Sequence, residues 1–378
     1  MSTVTAPFTT ATQPRAWRGF DLQLLIYVML LVAFGLVMGF SANYGTLPAG
    51  GSLSQTVKTL IWTGIGLGCF FIAASIDYHW LATFSAPIYL FVLGILLLTM
   101  AIGTNLFGAQ MSITVAGLDF QFSEVSKVLM VTVLATYLAR RGARIGKLST
   151  IVGAGLLMAL PTLLVFRQPD LGTALVFVAI LVGMLFVSGA GIGWLAVLAG
   201  AVVAIAPTVI NALHDYQRDR LFCFLDPGRD PQGACYQLIQ SLNAVGSGGL
   251  LGQGLTAGRE NRLGFLPVQS TDFIFSVVAE ELGFVGSMVL LGIFGLLLWR
   301  ILIVGWLAPD GLGRLIAIGL ATMIGFQLLV NVGMVIGLMP VTGIPLPFVT
   351  YGGSSMVSLL IGMGLLQSVR MRSDRPTF

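Results

Sequence analysis

Apolar stretches about as long as a bilayer is thick recur along this chain and leave it few folds to choose from. Ten can be read, near residues 22–42, 56–76, 81–101, 123–139, 149–166, 171–187, 191–213, 272–299, 314–338 and 351–369. About 20 mostly apolar residues cross the hydrocarbon as a helix. Lipid offers no partner to a free backbone N–H or C=O, so the spans must be helices or a closed barrel, and runs this long are helical. The expectation is an all-α fold: a polytopic membrane bundle of about ten transmembrane helices, one domain over residues 1–378. Charged residues make up 9% of the chain and apolar residues 56%, against ~25% charged in an average soluble domain. That balance excludes a water-soluble enzyme. Residues 1–19 read as a polar tail without a signal peptide's short apolar core. Glycines at 64, 66 and 68 suit closely approaching membrane helices.

Short-loop cations set the expected orientation. Arg15, Arg18, Arg140, Arg141, Arg144, Lys147, Arg300, Arg314, Arg370, Arg372 and Arg375 fall on one face, whereas the short loops of the other hold essentially Arg167 alone. The positive-inside rule then puts both termini in the cytoplasm, and two termini on one side need an even number of spans. The net charge of +4 records this topology and does not point to nucleic acid. Residues 214–271 form a long extracytoplasmic connection between the seventh and eighth spans. Connections beyond ~12–15 residues are commonly functional or disordered. The helical spacing of Tyr236-Gln-Leu-Ile-Gln-Ser-Leu242 marks this one as ordered.

With charge so scarce, each ionisable residue near the membrane is a candidate. Glu124 and Lys127 share a helix face at the outer end of the fourth span; they either neutralise one another or line a polar cavity. Arg167 and Asp170 lie in Arg167-Gln-Pro-Asp-Leu-Gly-Thr173, where Pro169 breaks the helix. That turn is either a local ion pair or a basic group placed to meet a phosphate. Asp272, in Ser270-Thr-Asp-Phe-Ile-Phe275, has two readings. It caps the eighth span, or desolvation raises its pKa toward that of a general base. Glu280 and Glu281 fall two turns deeper, where they need partners or protons. The Gly-rich run Gly246–Gly254 lacks the closing Gly-Lys-Ser/Thr of a phosphate loop, and flexible backbone near a ligand, or tight turns, is the modest reading. Cys223 and Cys235 bracket a short extracytoplasmic loop where a disulfide is permitted. A bridge and two free thiols both remain open. Cys69, inside a span, reads as packing.

Taken in order, these motifs resemble the SEDS family (shape, elongation, division and sporulation) of bacterial cell-wall proteins. The resemblance runs through Phe120-Gln-Phe-Ser-Glu-Val-Ser-Lys127, Arg167–Thr173, Phe224-Leu-Asp-Pro-Gly-Arg-Asp-Pro231, Gly264–Phe275, Glu280-Glu-Leu-Gly283 and Gly343–Ser355. The Pro340-Val-Thr-Gly-Ile-Pro-Leu-Pro-Phe348 stretch is more similar to the elongation branch than to the division branch. The resemblance implies a peptidoglycan glycosyltransferase of the bacterial cytoplasmic membrane that polymerises lipid II, the undecaprenyl-pyrophosphate-linked disaccharide pentapeptide. It implies Asp272 as the essential acid and general base. Lys127, oriented by Glu124, and Arg167 with Asp170 would then serve substrate binding, with Arg259 and Arg262 reaching in from the loop. A divalent cation such as Mg or Mn would be compatible with the pyrophosphate chemistry. Partners implied are a class B penicillin-binding protein and other elongation-complex membrane proteins. This chain departs from the family at Gly108-Ala-Gln-Met-Ser-Ile113, where a cation is common, and at Phe122 and Ser270. The rival readings are a lipid II flippase, a division polymerase, and a scaffold that only positions the penicillin-binding protein.

Overall fold

The structure is a computed structural model describing residues 17, 19–44, 51–102, 104–106, 109–115, 118–259 and 271–373. Thirteen helices are named in chain order: α1 (Leu22–Asn43), α2 (Gly51–Ser75), α3 (Tyr78–Thr83), α4 (Ser85–Ile102), α5 (Phe122–Arg141), α6 (Leu148–Arg167) and α7 (Leu171–Val187). They continue as α8 (Ile192–Ala212), α9 (Asp215–Leu225), α10 (Tyr236–Ser247), α11 (Ile274–Trp306), α12 (Gly311–Val335) and α13 (Gly353–Arg372). Among the described residues, seven helices are long and apolar enough to cross a membrane, namely α1, α2, α5, α6, α11, α12 and α13. Shorter apolar helices occupy Ser85–Ala101, Leu171–Val187 and Ile192–Thr208. The helical bundle is as the hydropathy leads one to expect; among the described residues seven helices, not ten, are both long and apolar enough to count as spans.

The sequence reading did not anticipate a small antiparallel sheet between α4 and α5. Strand β2 (Ala109–Val115) pairs with both β1 (Thr104–Leu106) and β3 (Leu118–Phe120). In register, Ser112 faces Thr104 and Thr114 faces Asp119. The β-branched and polar alternation of Gln110-Met-Ser-Ile-Thr-Val115 suits a pleated ribbon too short to register as a hydropathy feature.

Burial in the bundle runs opposite to that of a soluble protein. Helix α13 has a mean hydropathy of only 1.2 over its best window, yet 89% of that window is buried; α1, at 2.5, is 39% buried. Lipid is as apolar as leucine, so polar residues do best inside, against other helices. Ser354, Ser355, Ser358, Gln367 and Ser368 of α13 are all buried. On the outer faces Leu90, Leu156, Leu163 and Val203 are exposed, as a lipid-facing belt requires. Helix α13 packs chiefly on α2, while α12 packs on α5, α7 and α11.

One end of this bundle is tied by carboxylate caps. Asp21 caps α1 through the Leu24 N–H at 3.1 Å and pairs with Arg300 at 2.8 Å. Asp310 caps α12 through the Gly313 N–H at 2.7 Å and accepts from the Tyr78 hydroxyl at 2.9 Å. Arg372 at the end of α13 pairs with Asp77, the cap of α3, at 3.2 Å. At the other end lie helices α9 and α10, the turn at Gln168–Asp170 and the α12–α13 connection.

The Gly-rich run has a structural purpose. Helix α11 is interrupted at Gly283, whose φ is 66°, and the 248–254 backbone lies against the break. Gln253 and Gly254 donate to the Glu280 and Glu281 carbonyls, and Phe284 and Val285 donate to Gly249 and Leu250. A Cβ on Gly252 would sit 2.1 Å from the Glu281 oxygen, and one on Gly283 would sit 2.3 Å from the Gly252 nitrogen. Only glycine allows two backbones this close together. The modest reading of tight turns is the one the geometry supports.

Candidate active site

The α5 N-terminus, the α6–α7 turn, α9, the start of α11 and the α12–α13 connection converge at one end of the bundle. Helix α5 contributes Glu124 and Lys127, both buried, with Lys127 Nζ 2.6 Å from Glu124 Oε1. Spaced three apart, they lie on one helix face. Pro169 ends α6, and Asp170 then caps α7, accepting from the Thr173 N–H at 2.9 Å. The second oxygen of Asp170 accepts from Gln121 Nε2 at 3.1 Å and Ser123 Oγ at 3.4 Å, so the α5 and α7 starts are fastened together. Burial pushes the Asp170 carboxyl up, opposed by its bonds to Thr173 and the charge of Lys127, and reinforced by Glu124.

Asp272 does not cap α11. The cap position is Phe273, with no side-chain cap bond, and the Asp272 carboxylate makes no hydrogen bond among the described residues. Four other aspartates, at 21, 77, 170 and 310, do cap the helices they precede. The capping alternative for Asp272 therefore does not describe this fold. Asp272 precedes the spanning helix and is half-buried. Burial pushes its carboxyl above the usual 3.8, the Arg220 guanidinium pulls it back, and the charge of Asp170 raises it again.

Two residues that the sequence reading did not single out build the site around Asp272. Arg220, from α9, reaches the same point. An ideal Cβ on Gly343 would lie 3.5 Å from Asp272 Oδ2 and 4.0 Å from Arg220 Nη1. Helix α9 is held there by Gln217 Nε2 donating to the Pro169 carbonyl at 3.0 Å. A disulfide between Cys223 at its end and Cys235 at the start of α10 fastens the other side. Asn331, fully buried in α12, donates to the Asp272 carbonyl at 3.0 Å and to the Ile344 carbonyl at 2.8 Å. One side-chain amide thus ties the α11 start to the α12–α13 connection. Nearby, Thr350 Oγ1 accepts from the Leu346 N–H at 2.8 Å and donates to the Thr271 carbonyl at 3.3 Å. These bonds hold a loop in which Phe348 takes a φ of 63°, a backbone region rare for an aromatic residue and typical of functional loops.

The remaining expected residues lie further out. Arg167 closes α6 on its exposed side, without a hydrogen bond or ion pair among the described residues. Arg259 is also exposed, and Arg262 lies outside the described residues. The Gly108–Ile113 departure falls mainly in β2. Glu281 is hydrogen-bonded by Ser41 of α1, and Ser41 Oγ accepts from the Thr256 N–H at 2.9 Å. Glu280 abuts Gly258, where a Cβ would approach its Oε2 to 2.7 Å. These two acids anchor the Gly-rich loop to α11. Among the described residues no three His, Cys, Asp or Glu side chains gather to hold a metal.

A carboxylate at a membrane-helix entrance, with a cation and a second acid nearby, on a many-helix bundle, marks a polar site at one end of a multi-pass membrane protein. The comparisons narrow this. A family model described as Cell cycle protein, for FtsW, RodA and SpoVE, matches residues 22–375. Stage V sporulation protein E of Bacillus subtilis is 37% identical over 359 residues, covering 92% of this chain and 96% of that protein. Peptidoglycan glycosyltransferase MrdB of Escherichia coli K12 is 37% identical over 347 residues, covering 92% of each. Rod shape determining protein RodA of Thermus thermophilus matches in structure with a TM-score of 0.71 at 30% identity, covering 95% of this chain and 99% of that one. A chain from a study of how a peptidoglycan synthase complex coordinates polymerization and crosslinking reaches 0.79 at 34% identity, covering 95% and 100%. The chain belongs to the FtsW/RodA/SpoVE family.

Proposed function

We propose that this protein is a peptidoglycan glycosyltransferase that polymerises lipid II on the outer face of the bacterial cytoplasmic membrane during cell elongation. The observation that carries this reading is Asp272: a desolvated carboxylate left out of the capping role, with Arg220 and Asp170 within electrostatic reach. Relatives named as peptidoglycan glycosyltransferases support the reaction class. The elongation-type Pro340–Phe348 stretch, which forms one wall of the site, favours elongation over division.

In this reading Asp272 takes the proton of the acceptor GlcNAc 4-hydroxyl as that oxygen attacks the anomeric carbon of the donor MurNAc. The bond to undecaprenyl pyrophosphate breaks, its electrons leave with the pyrophosphate, and the α-linked donor becomes a β-1,4 glycan. A carboxylate with a raised pKa is a better base near neutral pH than an ordinary one. Charge growing on the leaving group needs fixed cations. Lys127 is buried and held by Glu124; Arg220 stands at the Asp272 carboxylate; Arg167 and Arg259, exposed at the same end, are free to swing toward a bound pyrophosphate. A divalent cation would draw its ligands mainly from the substrate, and no step here depends on one. The cations at the opposite end, Arg140, Arg141, Arg144 and Arg372, support cytoplasmic termini.

A class B penicillin-binding protein is the proposed partner, in keeping with the synthase complex that contains a similar chain. The test is to incubate the purified protein with lipid II, with and without that partner, and resolve the products by gel. Glycan polymer is expected. Absence of polymer under both conditions would overturn the enzymatic reading, and lipid II translocation without polymer would favour a flippase.

A further inference from the structure

At the end of the bundle opposite Asp272, α4, α5 and α6 flank an open hollow of about 520 Å³ that the reaction above does not use. Its polar wall is Arg140, Arg141 and Arg144 with Tyr89 and Tyr137, and its apolar wall includes Leu157. No acid is among the described residues that line it, so three cations share one hollow without a counter-charge. Two of them are fixed. Arg140 Nη2 donates to the Ala82 carbonyl at 2.8 Å, and the Arg141 guanidinium lies over the Tyr137 ring, 4.9 Å from its centroid. Arg144 is exposed and has no ion pair among the described residues. From this hollow the outer faces of α4 and α6 run into the membrane as exposed apolar residues, among them Leu90 on α4 and Leu156 on α6.

We propose that this cavity is a binding site for an anionic phospholipid of the cytoplasmic leaflet. Its phosphate sits among the three arginines and its acyl chains lie along α4 and α6. Guanidinium groups suit phosphate better than ammonium because their planar donors bond two oxygens at once. Basic hollows between helices at a membrane's cytoplasmic edge are where acidic headgroups bind. Loose topogenic arginines would not need to share one hollow. The continuity of charged hollow and apolar outer face selects a lipid over a free anion, because only a lipid uses both.

The test is native mass spectrometry of the full chain from nanodiscs of phosphatidylglycerol and phosphatidylcholine. Phosphatidylglycerol should be retained preferentially. Retention should fall on the order of 30-fold in the double variant Arg141→Gln/Arg144→Gln, at the strength usual for two arginines near a membrane surface. Lys147→Gln, which removes a charge of the same loop outside the cavity, should leave it unchanged. Ala86→Trp keeps every charge, sits at an exposed position on the lining and narrows the hollow; it should also expel the lipid. Equal loss in the Lys147 and double variants would overturn the site in favour of diffuse surface charge. So would equal retention of the two lipids, or displacement of bound lipid by millimolar inorganic phosphate. If the double variant fails to fold, Ala86→Trp decides: full retention of phosphatidylglycerol refutes the proposal.

Discussion

Asn331 offers the sharpest test of how the active site is held. Replacing it with leucine keeps most of the side-chain volume and removes the amide that spans the Asp272 and Ile344 carbonyls. Two hydrogen bonds go, and the two carbonyl acceptors left without a partner cost ~1–3 kcal/mol each if water cannot reach them. Against this, Asn331 Oδ1 is itself buried without a hydrogen-bond partner among the described residues, and its removal returns about 1–2 kcal/mol. The net cost to folding is then roughly 1–4 kcal/mol, small enough for a bundle of this size to survive. The cost to catalysis is larger, because the lost bonds set the distance between the base and the loop facing it. A displacement of about 1 Å at a reacting group costs on the order of 10²-fold. Asn331→Leu should therefore fold, with a modest fall in thermal stability, and should lose about two orders of magnitude in lipid II polymerisation, mostly in kcat. Wild-type turnover in a variant with that stability loss would refute the positioning argument. A general collapse would show instead as loss of the monodisperse protein on size exclusion.

Three further outcomes follow from the same geometry. Lys127→Met strands the buried Glu124 carboxylate and should destabilise by about 3–5 kcal/mol, read as a fall in Tm. Adding Glu124→Gln should restore most of that stability but not the activity if Lys127 meets substrate. Reducing the Cys223–Cys235 bridge frees a twelve-residue separation and should cost about 3 kcal/mol in the chain-entropy account. Protease cutting within residues 215–235 should rise first, and activity should fall as Arg220 loses its anchor. Burial raises the Asp272 carboxyl, so activity should fall with acid at a pH above the ordinary carboxylate range, read from kcat/KM against pH. The same raised pKa stabilises the fold fully only below the unfolded value of 3.8 and is lost as pH rises through the folded one. Asp272→Asn should accordingly have a higher Tm than the parent protein at neutral pH.

Much of this fold was legible because lipid enforces simple rules. Runs of twenty apolar residues became helices, and the short-loop cations among the described residues gathered at one end. Scarcity of charge also worked for the site, since Glu124, Lys127, Asp170 and Asp272 stand out against an apolar background and do converge. Arg220 did not stand out, because it is one of several arginines in a charge-balanced loop, and only the docking of α9 on Pro169 brings it to Asp272. Arg167, conspicuous for lying alone on its face, points to the exposed side of α6. Asn331 left a weaker signal: a lone amide with Gln327 in a strongly apolar span. A polar group there needs a partner, but sequence cannot say that the partners are two backbone carbonyls from other elements. The β-ribbon before α5 was missed because its strands are short, and periodicity needs length to register.

The central claim is that Asp272 acts as the base. Purified Asp272→Asn, reconstituted beside the parent protein with lipid II and a class B penicillin-binding protein, tests it most directly. The account predicts a folded, thermally stabilised protein that makes no glycan polymer, because an amide of the same shape cannot take the acceptor's proton. Polymer formed at the parent rate by that variant would contradict it.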